Sequence, residues 1–116
     1  MARRIAPSVF AAKCPSRENL CVLSNKWSLL VLLALSGKTL RFTDLHQKVS
    51  GISQKMLAQT LRTLEAAELV RRRVYAEIPV RIEYSLTARA KCLAAPIEKI
   101  CRWAEREEIG NSRSRR

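Results

Sequence analysis

Aromatic residues are scarce in this chain: two Trp, two Tyr and two Phe supply 5% of 116 residues. The core must therefore be mostly Leu, Val, Ile and Ala, and few rings are spare for stacking on unpaired bases. There is one histidine, His46, and the four cysteines (Cys14, Cys21, Cys92, Cys101) form no CxxC pair. That spacing argues against zinc. With no Gly-rich phosphate loop and no His/Cys/Asp cluster, no catalytic set is visible, so an enzyme is the least supported class. No apolar run reaches the roughly 20 residues of a membrane span. The opening MARRIAPSVFAAKCP is too brief for a signal peptide. A soluble cytoplasmic protein is the expectation, and in that compartment a structural disulfide is disfavoured.

Acidic residues are also few, 10 against 22 Lys and Arg, for a net charge of +12. The excess is unevenly placed. Residues 38–81 hold 9 basic and 4 acidic side chains, net +5, whereas residues 88–108 hold 5 and 4, net +1. Most of the remaining excess sits at the ends, in Arg3 and Arg4 and in Arg113, Arg115 and Arg116. A polyanionic partner held by the middle of the chain explains this better than a uniform basic coat. Hydrophobic content of 47% is too high for a disordered chain, and the length suits one domain. We divide the chain into an N-terminal arm (1–13), one domain (14–109) and a basic tail (110–116), with arm and tail expected to be mobile.

Along the domain, Pro15 suits the first turn of a short helix over 15–23 whose apolar face includes Leu20, Cys21 and Leu23. Asn25 caps a second helix, 26–35, with a stripe of Trp27, Leu30, Val31, Ala34 and Leu35. Leu29, Leu32 and Leu33 make it apolar nearly all round, which predicts burial on more than one side. Ser36 and Gly37 end it, and a short strand over 38–41 is expected to pair with a later hairpin. Thr87 caps a last helix, 88–108, which Pro96 should kink. Leu93, Ile97, Ile100, Cys101 and Ala104 form its stripe, with Trp103 beside it. Two outcomes stay open for this stripe. It folds back on the chain's own core, or a second copy covers it by two-fold symmetry, with Leu20, Leu93, Ile97, Ile100, Cys101 and Trp103 as interface candidates.

The rest is organised around residues 40–86. A helix over 42–49, a turn at Gly51 and a second helix over 54–67, capped by Ser53, are followed by two alternating strands, Val70 to Tyr75 and Arg81 to Leu86. Pro79 falls in the connecting loop, where its missing N–H costs no ladder bond. That order is a winged helix-turn-helix: mainly α with a small β-hairpin wing, α+β in class. Leu57, Leu61 and Leu64 give the second helix its buried face, with Met56 and Thr60 at the edge. Gln54, Lys55, Ala58, Gln59 and Arg62 form its open face. Gln can pair bidentately with adenine, Lys and Arg reach guanine or phosphate, and the Ala58 methyl can meet a thymine methyl. Singly these are ordinary residues of a solvated helix face. The Gly-containing turn and the basic hairpin that follows shift the weight towards DNA. Arg71-Arg72-Arg73 likewise has a bland reading as a charged strand edge. We assign Arg71 and Arg73 to phosphate, Arg72 to the core side, and Arg81 to a backbone or minor-groove contact. Glu83 is expected to pair with an arginine across the ladder. Thr43 and Ser53 complete the candidate DNA-contacting set.

These residues resemble a family. CPSRENLCVLSNKW, LRFTDLHQKVSGISQKMLAQTLRTLEAAELVRRRVY and PVRIEYSLT are similar to segments of the HxlR-type bacterial transcriptional regulators, winged-helix proteins related in shape to the MarR group. The likeness covers residues 14–103. It implies a homodimer joined through terminal helices, an inverted-repeat operator and no cofactor. It matches Ser53, Gln54, Lys55, Gln59 and Arg62 to the DNA-reading helix, Arg81 to the wing, and Cys14 to a cysteine that some members use to sense oxidants or electrophiles. The chain departs from the pattern at Ala90, where the family usually has glycine, and at Ala76 and Val80, which replace prolines common in the wing.

Cys14 precedes a predicted helix and lies near Lys13 and Arg17, both of which favour thiolate. Buried, inert cysteine is nevertheless the commoner state. Cys21, Cys92 and Cys101 read as core or dimer packing. The expected function is a dimeric, sequence-specific DNA-binding regulator, a repressor by preference, with Cys14 as its redox-sensing candidate and any small-molecule effector left open. The competing class is a small basic RNA- or ribosome-associated protein, which would show no sharp preference for duplex DNA.

Overall fold

Asn25 starts the helix around which the rest is assembled. Its side-chain oxygen accepts from the Ser28 N–H at 2.9 Å, closing the open end of α2 (Lys26–Ala34). Val31, Leu32, Ala34 and Leu35 are buried along it, as is Ser28, while Trp27, Leu29, Leu30 and Leu33 are half-buried against the same core. The stripe is thus rotated from the expected one, with Leu32 and Ser28 inside and Trp27 and Leu30 at the margin. Gly37, at φ +70, lets the chain leave the helix in a left-handed turn. The computed structural model describes residues 8–12 and 16–107. Cys14, Pro15 and the tail 110–116 lie outside the described residues. Residues 8–12 form a turn fixed to α1 (Ser16–Val22), because Arg17 donates to the carbonyls of Val9 at 2.8 Å and Phe10 at 2.9 Å.

The chain continues through β1 (Leu40–Arg41), α3 (Phe42–Lys48), α4 (Gln54–Ala66), β2 (Val70–Tyr75) and β3 (Arg81–Leu86). The strands make one antiparallel sheet in the order β1-β3-β2, so the short strand pairs with the hairpin as its position predicts. The register sets Val70 opposite Leu86, Arg72 opposite Tyr84 and Val74 opposite Ile82. Alternation therefore gives the sheet one apolar face towards the helices and one polar face away from them. Leu45, Val49, Ile52, Leu57, Leu61 and Leu64 are the helical half of the core, and Val70, Tyr84 and Leu86 are the sheet's half.

The C-terminal end of α4 contains a residue that composition did not flag. Glu68 has φ +61, and the Leu69 N–H reaches back to the Leu64 carbonyl while the Glu68 N–H bonds that of Glu65, both at 2.9 Å. This is a Schellman ending with glutamate in the position that usually holds glycine. Buried Leu64 and Leu69 supply the accompanying apolar contact. Thr87 then joins two parts of the chain. Its hydroxyl donates to the Glu68 carbonyl at 2.7 Å, its N–H bonds the Leu69 carbonyl at 3.1 Å, and the same hydroxyl caps α5 (Ala88–Lys91) by accepting from Ala90.

The last helix does not kink at Pro96; it breaks ahead of it. α5 stops at Lys91, and α6 (Ala94–Glu107) begins after Cys92 and Leu93. In an unbroken helix the residue at 96 would donate to the carbonyl of Cys92, and proline has no N–H to give. In the first turn of a new helix that lack costs nothing. Restarting there turns α6 so that Ile97 is 3% exposed inside the core, with Leu93 and Cys101 packed against it. The first expectation for the stripe, folding back on the chain's own core, therefore holds in part. One edge folds back on the chain, whereas Ile100 and Trp103 remain about half exposed, and Leu20 on α1 is also exposed. Cys21 and Cys92 are exposed in the single chain and so are not core residues, and Cys101 is half-buried.

Candidate nucleic-acid interface

Both helices of the α3–α4 pair are capped where they start. Asp44 accepts from the Arg41 N–H at 3.2 Å at the start of α3. Gly51, at φ +92, supplies the left-handed step that a side chain would strain. Val49 and Ile52 plug the core on either side of it. Ser53 then caps α4, accepting from the Met56 N–H at 3.0 Å. Because α4 buries Leu57, Leu61 and Leu64, its opposite side faces solvent. Thr60 is also fully inside rather than at the edge.

Gln54, Lys55, Gln59 and Arg62 are exposed on that side, with Ala58 half-buried between them. Positions 55, 59 and 62 follow the helical repeat, so they line one strip. Neither Lys55 nor Arg62 has a carboxylate partner among the described residues. Thr43 is exposed in the first turn of α3. The arrangement offers amide, ammonium, guanidinium and hydroxyl groups from one rigid helix and its support, which is the equipment for reading base edges in a major groove.

The sheet sorts the arginines of the hairpin differently. Arg71, Arg73 and Tyr75 of β2 share the outer face with Arg81, Glu83 and Ser85 of β3, while Arg72 lies on the core-facing side and is nevertheless exposed. Arg71 and Arg73 line a groove with residues of the turn after α2 and of α5, away from the strip on α4. Arg81 is held in place. Its Nη2 is 3.1 Å from Glu77 Oε2, its Nε is 3.7 Å from Glu83 Oε2, and its guanidinium lies 4.0 Å over the ring of Tyr75. The Nε is buried and makes no hydrogen bond. Glu83 thus meets an arginine of its own strand, two residues away, although Arg73 stands opposite it in the ladder. The tip of the hairpin carries Ile78, fully exposed, and exposed Val80. Sequence reasoning passed over this apolar tip because a loop residue has no period to expose it.

On α6, Arg102 is bound by Glu105 and Glu98, at 3.2 Å each, and the two carboxylates hold its pKa above the ordinary arginine value. That helix therefore neutralises its own charge, as the near-zero balance of residues 88–108 predicts. Among the described residues no group of His, Cys, Asp and Glu could hold a metal, and no helix is long and apolar enough to cross a membrane.

A family model described as HxlR-like helix-turn-helix matches residues 22–110. The HTH-type transcriptional regulator YtfH of Escherichia coli K12 is 40% identical over 98 residues, which cover 84% of this chain and 78% of that one. Among solved structures, the transcriptional regulator YtfH from Salmonella typhimurium superposes with a TM-score of 0.82 at 36% identity, covering 95% of this chain and 98% of the other. The redox regulator HypR in its oxidized form gives a TM-score of 0.73 at 33% identity, covering 79% and 95%.

Proposed function

The chain belongs to the HxlR-like helix-turn-helix family of DNA-binding transcriptional regulators, and from that premise we propose that it acts as a homodimer on an inverted-repeat operator, as a repressor. The observation that carries this reading is the unpaired strip of Lys55, Gln59 and Arg62 on the open side of α4. Gln54 and Gln59 read base edges, Lys55 and Arg62 meet guanine or phosphate, and Thr43 and Ser53 fix the approach to the backbone. Arg81 reaches the flanking minor groove once it leaves its glutamates. Leu20, Ile100 and Trp103, apolar and exposed, face the second copy, with Leu93 and Cys101 backing them. Ile97 supports that surface from inside the core. Two reading helices then enter successive major grooves about 34 Å apart.

Likeness to HypR, described as a redox regulator, supports Cys14 as the residue through which oxidant changes DNA affinity. If a Cys14→Ser protein loses operator binding under oxidant as readily as the parent, that role fails. The main reading is tested by selecting bound duplexes from a random DNA pool with the purified protein. Enrichment of an inverted repeat is the expected result. Salt-sensitive binding to any polyanion, with no enriched sequence, would move the protein to the RNA-associated class.

A further inference from the structure

The outer face of the sheet carries a second basic surface. A groove of about 770 Å³ opens between the turn that follows α2, the paired strands and α5. Lys38 and Thr39 form one wall, Arg71 and Arg73 the other, Ser85 lies on the strand between, and Lys91 closes the end. Arg71 and Ser85 are direct partners in the ladder, so guanidinium and hydroxyl stand side by side. No acidic residue lines the groove. None of the four cations has a carboxylate partner among the described residues, although Arg81 and Arg102 each have two.

Four unneutralised cations around one concavity repel one another. An anion seated between them relieves that repulsion. The volume is that of a small-molecule site rather than of a single ion, and Leu86, Ala88 and Ala94 add an apolar margin. We propose that this groove binds a small organic anion bearing two or more carboxylate or phosphate groups, with Arg71 and Arg73 on one end and Lys38 and Lys91 on the other. Such a ligand ties β2 and β3, which carry the wing, to the turn after α2 and to α5. The site stands on its own geometry and does not depend on the operator reading.

The probe is pyrophosphate, added to the full chain at ionic strength matched with sodium chloride. Parent protein is expected to melt at higher temperature with pyrophosphate, and its amide NMR shifts to centre on Thr39, Arg71 and Ser85. Arg71→Gln/Lys91→Gln should need at least tenfold more pyrophosphate for the same rise. Lys55→Gln/Arg62→Gln, which removes equal charge from α4, should respond as the parent does. Equal weakening in both variants, an equal rise with chloride alone, or shifts centred on α4 would overturn the site. So would a groove variant that binds duplex DNA as poorly as the α4 variant, since the groove would then be a DNA backbone contact. The parent's shift map decides the matter even if the groove variant folds poorly.

Discussion

Replacing Glu77 by glutamine should make this protein bind its operator more tightly. Arg81 is paired with Glu77 at 3.1 Å, approached by Glu83 at 3.7 Å and stacked on Tyr75. It cannot reach a phosphate or a minor groove without giving up some of these contacts. The Glu77 side chain is half exposed, so its pair is a surface ion pair contributing about 0.5 kcal/mol. Glutamine also removes a negative charge from the approach to DNA, for a similar gain of about 0.5 kcal/mol in partly screened surroundings. Together these give about 1 kcal/mol, or roughly fivefold in Kd. Fluorescence anisotropy with the selected duplex, at about 50 and 200 mM salt, measures it. Repeating Glu77→Gln in an Arg81→Ala background separates the two parts. There only the charge effect survives, and the gain should fall to about twofold. A full fivefold gain in both backgrounds would mean that Arg81 is not restrained by Glu77. A gain of only about twofold in the parent too would mean that Arg81 never leaves its partners to contact DNA, and no gain at all would refute the charge effect as well.

Other outcomes follow from the same structure. Gln59→Ala or Arg62→Ala should each cost about 1–3 kcal/mol of operator binding if the side chain pairs bidentately with a base, with far less change on unrelated duplexes; equal losses on both would make the contact a phosphate one. Glu68→Gly should stabilise the fold by about 0.5–1 kcal/mol, because glycine takes the left-handed position without a Cβ penalty, and the urea midpoint reads this directly. The parent should sediment as a dimer and an Ile100→Glu/Trp103→Glu chain as a monomer. Burial of each side chain is worth roughly 1.5–3 kcal/mol, and two-fold symmetry repeats each loss, so the dimer Kd should rise by at least about a hundredfold.

Much of the frame was readable in advance because it rests on local chemistry. Asn25, Ser53 and Thr87 each cap the helix they precede. Gly51 marks a turn that needs positive φ, and alternation at residues 70–75 and 81–86 marks paired strands. What was not readable depends on partners far along the chain. Glu68 takes a glycine-like conformation because Leu64, Leu69 and Thr87 fix the chain around it, and none of them is visible in its own type. Pro96 signalled an interruption, but whether a helix bends or restarts depends on how Ile97 docks against α2. The strip on α4 followed from helical spacing alone. The separation of Arg71 and Arg73 from that strip did not, since strand parity tells which face a side chain takes but not what lies across from it.

Thr87 has a mechanical consequence. It joins the turn that ends α4 to the first turn of α5, through bonds of 2.7 to 3.2 Å. The helix running from this joint has 13 residues and is therefore about 20 Å long, with Gln54 at its far end. A rotation of about 10° at the pivot would sweep that end by about 3 Å, more than a hydrogen bond to a base tolerates. If the chain pairs through its terminal helices and α4 reads DNA, as proposed, a small shift of those helices would turn a lever whose long arm ends in the groove, and nothing would have to touch the DNA to take it off the operator.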